Sequence, residues 1–131
     1  MSAAYAAVLD SLGRIAGDPG EAIYAELFAQ HPETEALFFL DRTGSHRAQM
    51  LTRTFETLLD YVGDRSFARG MLETEQINHQ ELGVDPATFA RFFAIVRDAL
   101  RRILGPEWTD AHEAGWAELL AELDALLGLP A

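Results

Sequence analysis

The stretch from residue 79 to residue 104, HQELGVDPATFARFFAIVRDALRRIL, decides the reading of the fold. Asp85-Pro86 has the chemistry of a helix start: an aspartate side chain accepts from the first free backbone N–H groups, and proline suits the first helical position. Behind it Phe89, Phe92, Phe93, Val96, Leu100, Ile103 and Leu104 recur at three- and four-residue intervals, the spacing of one buried helical stripe. Gly105-Pro106 stops the helix. Upstream, a less regular segment from about Ser66 to Glu81 carries Phe67, Met71, Leu72, Ile77 and His79, and is also read as helical.

Working outward, the same period recurs. Tyr5, Val8, Leu9, Leu12 and Ile15 form the stripe of a first helix that ends near Gly17. Asp18-Pro19-Gly20-Glu21 predicts a second start, followed by Ile23, Tyr24, Leu27 and Phe28 on one face. His31-Pro32-Glu33 breaks that helix and opens a short turn ending in Phe38-Phe39. Asp41 to Ser45 has loop chemistry, with Ser45 the expected cap of a helix beginning at His46. That helix is expected to bury Met50, Leu51, Phe55, Leu58, Leu59 and Val62. Thr109 or Asp110 caps the last helix, with Trp116, Leu119, Leu120, Leu123, Leu126 and Leu127 on its buried side. No segment alternates as a strand would, so the fold class is all-α with about seven helices. A chain of 131 residues supports one core, and residues 1–131 are read as a single domain.

Composition narrows the function. With 21 acidic against 10 basic residues the formal charge is −11, which repels phosphate backbones and anionic lipids. Neither nucleic acid nor a membrane is therefore an expected partner. Arg97, Arg101 and Arg102 lie beside Asp98 in an amphipathic helix and read as its solvated face. The absence of cysteine removes disulfides, thiolate metal sites, cysteine nucleophiles and thioether-linked pigments together. No leader and no long apolar run is visible, so a cytoplasmic location is expected. No glycine cluster opens a helix after a strand, which leaves nucleotide chemistry without support. Ser45 and His46 are adjacent and point to different sides of a helix, with no third group to orient them as a catalytic pair.

Four histidines remain: His31, His46, His79 and His112. None forms the i,i+4 pair of a zinc-binding helix. Well-separated histidines on different helices suit a flat cofactor instead, because haem iron needs one axial imidazole and tolerates a second. Apolar walls are available in Phe38, Met50, Val84, Phe89 and Phe92.

Several strings in order resemble the globin family, from about Gly20 to Leu123. LFAQHPET at 27–34, followed by Leu37-Phe38, is similar to the end of the second globin helix, the short third helix and the phenylalanine that wedges against haem. HQELGV at 79–84, then Asp85-Pro86 and Phe89, resembles the stretch of bacterial single-domain globins that carries the proximal histidine. Leu104-Gly105, Trp108-Thr109 and Trp116 resemble the join of the last two helices. The resemblance implies a three-on-three helical sandwich, and the short loop between Phe38 and His46 implies that the fourth helix is missing. It implies haem b, iron protoporphyrin IX, held through His79, with Tyr24 donating to bound gas from the distal side. His46, one turn before Met50, is a distal donor, a second iron ligand or a gate, and Gln49 is the alternative polar group. Arg42 and Arg47 lie near the expected haem edge.

Two departures stand out. Glu75 occupies a position, one turn before His79, where globins usually carry an aliphatic residue. That points to a displaced segment or to a carboxylate that strengthens the imidazole's donation to iron. Phe89 stands where flavohaemoglobin-like members carry a tyrosine, which implies that their proximal network is absent or rebuilt. The resemblance implies reversible binding of O2, NO or CO, and NO dioxygenase activity if an external reductase serves the chain. A gas sensor, a hexacoordinate redox globin and a haem-free interaction module are the alternatives, and the oligomeric state is left open.

Overall fold

The two strongest start signals form as expected in the computed structural model, which describes residues 1–129. The Asp85 side chain accepts the Thr88 N–H at 2.8 Å and opens the long helix. Thr109 accepts the His112 N–H at 3.2 Å while His112 Nδ1 accepts the Thr109 N–H at 3.0 Å, so each residue caps the other. Among the described residues there are six α-helices: α1 Ala3–Gly13, α2 Gly20–Gln30, α3 Ser45–Val62, α4 Ala68–Glu81, α5 Pro86–Leu104 and α6 Asp110–Leu126. Tighter 3₁₀ segments occupy Pro32–Phe38 and Gly105–Glu107, the first being the short third helix read from the sequence. No helix lies between Phe38 and Ser45.

Two starts differ in detail. The second helix begins at Gly20, one residue later than expected, although Asp18 still accepts the Gly20 N–H at 2.9 Å. Ser45 does not cap α3. Gly44 takes the cap position in the left-handed region at φ +79°, and Asp41 reaches back from the loop to the His46 and Arg47 N–H groups at 3.1 and 3.0 Å. A carboxylate that also pairs with the Arg47 guanidinium at 3.0 Å outcompetes a serine hydroxyl for these donors.

α1 packs chiefly on α6, and α2 on α5, with α3 and α4 closing the opposite side. Val8, Ile23, Leu58, Ile95, Val96, Leu100, Trp116, Leu119 and Leu123 are completely or almost completely buried. The α1–α6 crossing is tight because Gly115 lacks a side chain: a Cβ there would lie 2.6 Å from the Ala4 carbonyl oxygen. Leu59, Phe67, Ile77 and Ile103, expected inside, are exposed. Each lies at the edge of its stripe, and neighbours such as Tyr61, Leu72 and Ala99 take the interior places. Arg101 and Arg102 of α5 are solvated as expected and paired, Arg101 with Asp98 and Glu113, Arg102 with Glu26, whereas Arg97 is half-buried beside Asp98.

Candidate functional site

The arrangement leaves a cavity of about 530 Å³ between α3, α4, α5 and the first 3₁₀ segment. Its walls include Leu27, Phe38, Met50, Leu72, Val84, Phe89, Phe92 and Phe93. The volume falls within the range of roughly 300–1,000 Å³ usual for small-molecule and cofactor sites.

His79 reaches this cavity from the last turn of α4. Val84 N–H folds back onto the His79 carbonyl at 2.9 Å, and Gly83 supplies the left-handed turn at φ +92° that makes the return. The imidazole Nδ1 lies 2.8 Å from the Glu75 carbonyl oxygen. A carbonyl can only accept, so Nδ1 carries the proton and Nε2 carries the lone pair. The Phe89 ring leans on the imidazole, with centroids 4.9 Å apart and planes at 52°. Glu75 also turns its carboxylate toward the ring, with Oε2 3.8 Å from Nδ1. Arg53 faces that carboxylate from α3, Nη1 to Oε1 at 3.9 Å.

Across the cavity, α3 contributes His46, Gln49 and Met50. His46 and Gln49 are exposed on its first turns, and Met50 is half-buried behind them. Phe38, Val84, Phe89 and Phe92 line the walls together with His79. Tyr24 is not one of the lining residues. Its ring is buried against Phe28, Phe38 and Phe92, and its hydroxyl donates to the Arg47 carbonyl at 2.8 Å. Burial pushes the Tyr24 phenol well above its ordinary range, with Arg47 opposing and Asp41 adding to the rise, so the group is neutral.

The other two histidines are occupied elsewhere. His112 is buried and donates from Nε2 to Asp10 Oδ2 at 2.6 Å, while His31 lies beside Glu33. Arg47 is bound to Asp41, and neither Arg42 nor Arg47 lines the cavity. Arg53, Thr54, Thr57, Asn78 and Leu82 do line it and were missed in the sequence reading. For α3 the signal was available: 46, 50, 53 and 57 repeat at helical spacing, so Arg53 shares the face of His46 and Met50.

These features fit haem. One imidazole has a fixed tautomer with its lone pair on Nε2, and the walls around it are largely aromatic and aliphatic. No group of three or more His, Asp or Glu side chains able to hold a bare metal ion occurs among the described residues. No helix among them is long and apolar enough to cross a membrane. No curated protein matches the chain. The Globin family model matches residues 21–126, which contain every element of the cavity. The chain therefore belongs to the globin family and, as a member, is a haem-binding, gas-binding protein whose all-helical fold omits the fourth helix.

Proposed function

We propose that this globin holds haem b through His79 Nε2 and takes O2, NO or CO on the side lined by His46, Gln49 and Met50. The observation that carries the reading is the His79 imidazole, its Nδ1 proton committed to the Glu75 carbonyl, in the wall of an apolar cavity. When bound, the haem supplies the iron that takes the gas. The chain's own residues do the rest. The Glu75 carbonyl holds the tautomer, Phe89 limits rotation of the ring, and the aromatic walls would give the cofactor a largely apolar surround.

On the opposite side His46 and Gln49 supply hydrogen-bond donors at an open mouth. Tyr24 has its hydroxyl committed to the α3 backbone, so it would become a donor to the gas only by exchanging that bond. Because His46 is exposed at the mouth, His79 would be the one side chain that holds the iron, and His46 would be left to donate to the gas. The enzymatic extension of this reading is combination of NO with O2 to give nitrate, for which O2 would be the oxidant and a separate reductase would supply one electron per turnover.

The test is a visible spectrum after hemin titration, ferric and then dithionite-reduced. A Soret band with one broad ferrous visible band is expected. His79→Ala should weaken haem binding by at least roughly tenfold, since even loss of a ligand's outer partner typically costs that much. Two sharp ferrous bands that vanish in His46→Ala would make His46 a second ligand. No specific Soret band in the unmodified chain would defeat the proposal.

A further inference from the structure

Glu75 is the one carboxylate among the described residues that line the cavity, in a wall otherwise built from aromatic, aliphatic and neutral polar groups apart from His46, His79 and Arg53. The turn of helix between 75 and 79 aims two of its groups at the same imidazole nitrogen: the backbone carbonyl at 2.8 Å and the side-chain Oε2 at 3.8 Å. The carbonyl accepts the Nδ1–H hydrogen bond. At 3.8 Å the carboxylate is too far to form a hydrogen bond of its own, so it acts on the ring as a charge.

That charge is only partly offset. Arg53 Nη1 approaches Glu75 Oε1 no closer than 3.9 Å, and the arginine side chain is 59% exposed against 27% for the glutamate. A loose pair with one solvated partner is weak. The cavity side of α4 thus keeps negative potential beside the Nδ1–H bond. Such a potential draws the proton outward, enriches the ring in electron density and makes Nε2 the stronger donor.

We infer that Glu75 is a positioning residue that sets how strongly His79 donates to iron, with Arg53 as the counter-charge that trims the effect. The inference rests on the proposed ligation by His79. Stronger donation favours ferric over ferrous iron, so this pair sets the reduction potential from outside the ligand sphere. It also accounts for an acid at a cavity-lining position where an aliphatic side chain would bury more apolar surface.

The experiment uses the haem-loaded full chain as wild type, Glu75→Gln, Glu75→Leu and Arg53→Gln. It reads haem content per chain, the Fe–His stretching frequency by resonance Raman of the ferrous state, and the midpoint potential. All four should retain haem. Both Glu75 variants should lower the stretching frequency and raise the potential, with a change of roughly tenfold in the ferric–ferrous equilibrium, or about 59 mV for one electron. Arg53→Gln should move both quantities the opposite way. The near-isosteric glutamine keeps the test valid if leucine disturbs α4, and the potential reads the effect even if a second ligand occupies the iron. Unchanged values in Glu75→Gln, or an Arg53→Gln shift in the same direction, would overturn the inference while leaving His79 as the ligand. A wild-type chain that takes up no haem would overturn the ligation itself and this inference with it.

Discussion

The end of the molecule built from α1 and α6 and the side built from α3 and α4 are finished to different degrees. In the first, Trp116, Leu119 and Leu123 are almost wholly buried, and the polar groups that accompany them inward are satisfied. Trp116 Nε1 donates to Ser11 Oγ at 2.9 Å, Ser11 Oγ donates to the Val8 carbonyl at 2.6 Å, and His112 is held by Asp10 and Thr109. In the second, α4 buries only Ala68 and Leu72 and exposes Ile77, while Leu82 and Phe39 stand exposed at the cavity. Its start hangs on one carboxylate, Asp60, which accepts the Ser66, Phe67 and Ala68 N–H groups at 3.0, 2.9 and 2.7 Å. One end is a complete core and the other is a frame around a hole. The contrast predicts that most of the folding energy and the cofactor site are carried by different parts of the chain, with α3 contributing to both.

The strongest way to break the comparison is at Trp116. Replacing it with alanine should cost about 3–5 kcal/mol in urea unfolding, as for other large aromatic truncations in cores, while haem content per folded chain stays at the wild-type level. A parallel loss of haem affinity would show that the two parts are not separable.

Next in size is the cofactor itself. Hemin at a hundred times its dissociation constant should add about 2.7 kcal/mol of stability. Amide exchange should slow chiefly in α4 and the following turn and change little in α1 and α6. Uniform protection would sink the contrast. Thr109→Ala, which removes half of the reciprocal cap on α6, should cost about 1 kcal/mol and leave hemin titration unaltered.

The smallest effect sharpens the other side. Burial opposes ionisation of Asp60, and the N–H groups of Phe67, Ser66 and Ala68 outweigh it, holding the carboxyl below its usual value. A carboxyl lowered on folding contributes stability above its unfolded pKa and loses it as pH falls through the folded value. Asp60→Asn should therefore flatten the acid limb of the stability curve below about pH 4 and loosen α4 first, read by exchange of its amides. An acid limb unchanged from wild type would remove Asp60 from this role.

Legibility followed local chemistry. Helices α5 and α6 announced themselves because each is decided locally, by its cap, Asp85 or Thr109, and by a stripe of apolar side chains. The aromatic and aliphatic walls at Phe38, Met50, Val84, Phe89 and Phe92 were legible as apolar residues available to flank a flat cofactor. Arg53 was passed over because a charged residue on an amphipathic helix reads as solvated face, and only the position of α4 turns that face inward. The Asp41 cap was missed for a related reason: it spans a loop of irregular backbone to reach donors five and six residues away.

By itself the sequence determined an all-helical globin chain, most segment boundaries to within two residues although α1 ends at Gly13 and not near Gly17, and one histidine at the end of α4 with apolar neighbours. These depend on short-range periodicity and capping, which the chain carries wherever it folds. Only the tertiary structure decided that Tyr24 donates to the Arg47 carbonyl, that His46 stands exposed at the cavity mouth, and that Glu75 faces both His79 and Arg53. Which partner a polar side chain meets depends on how helices far apart in sequence cross, and no local pattern encodes that angle.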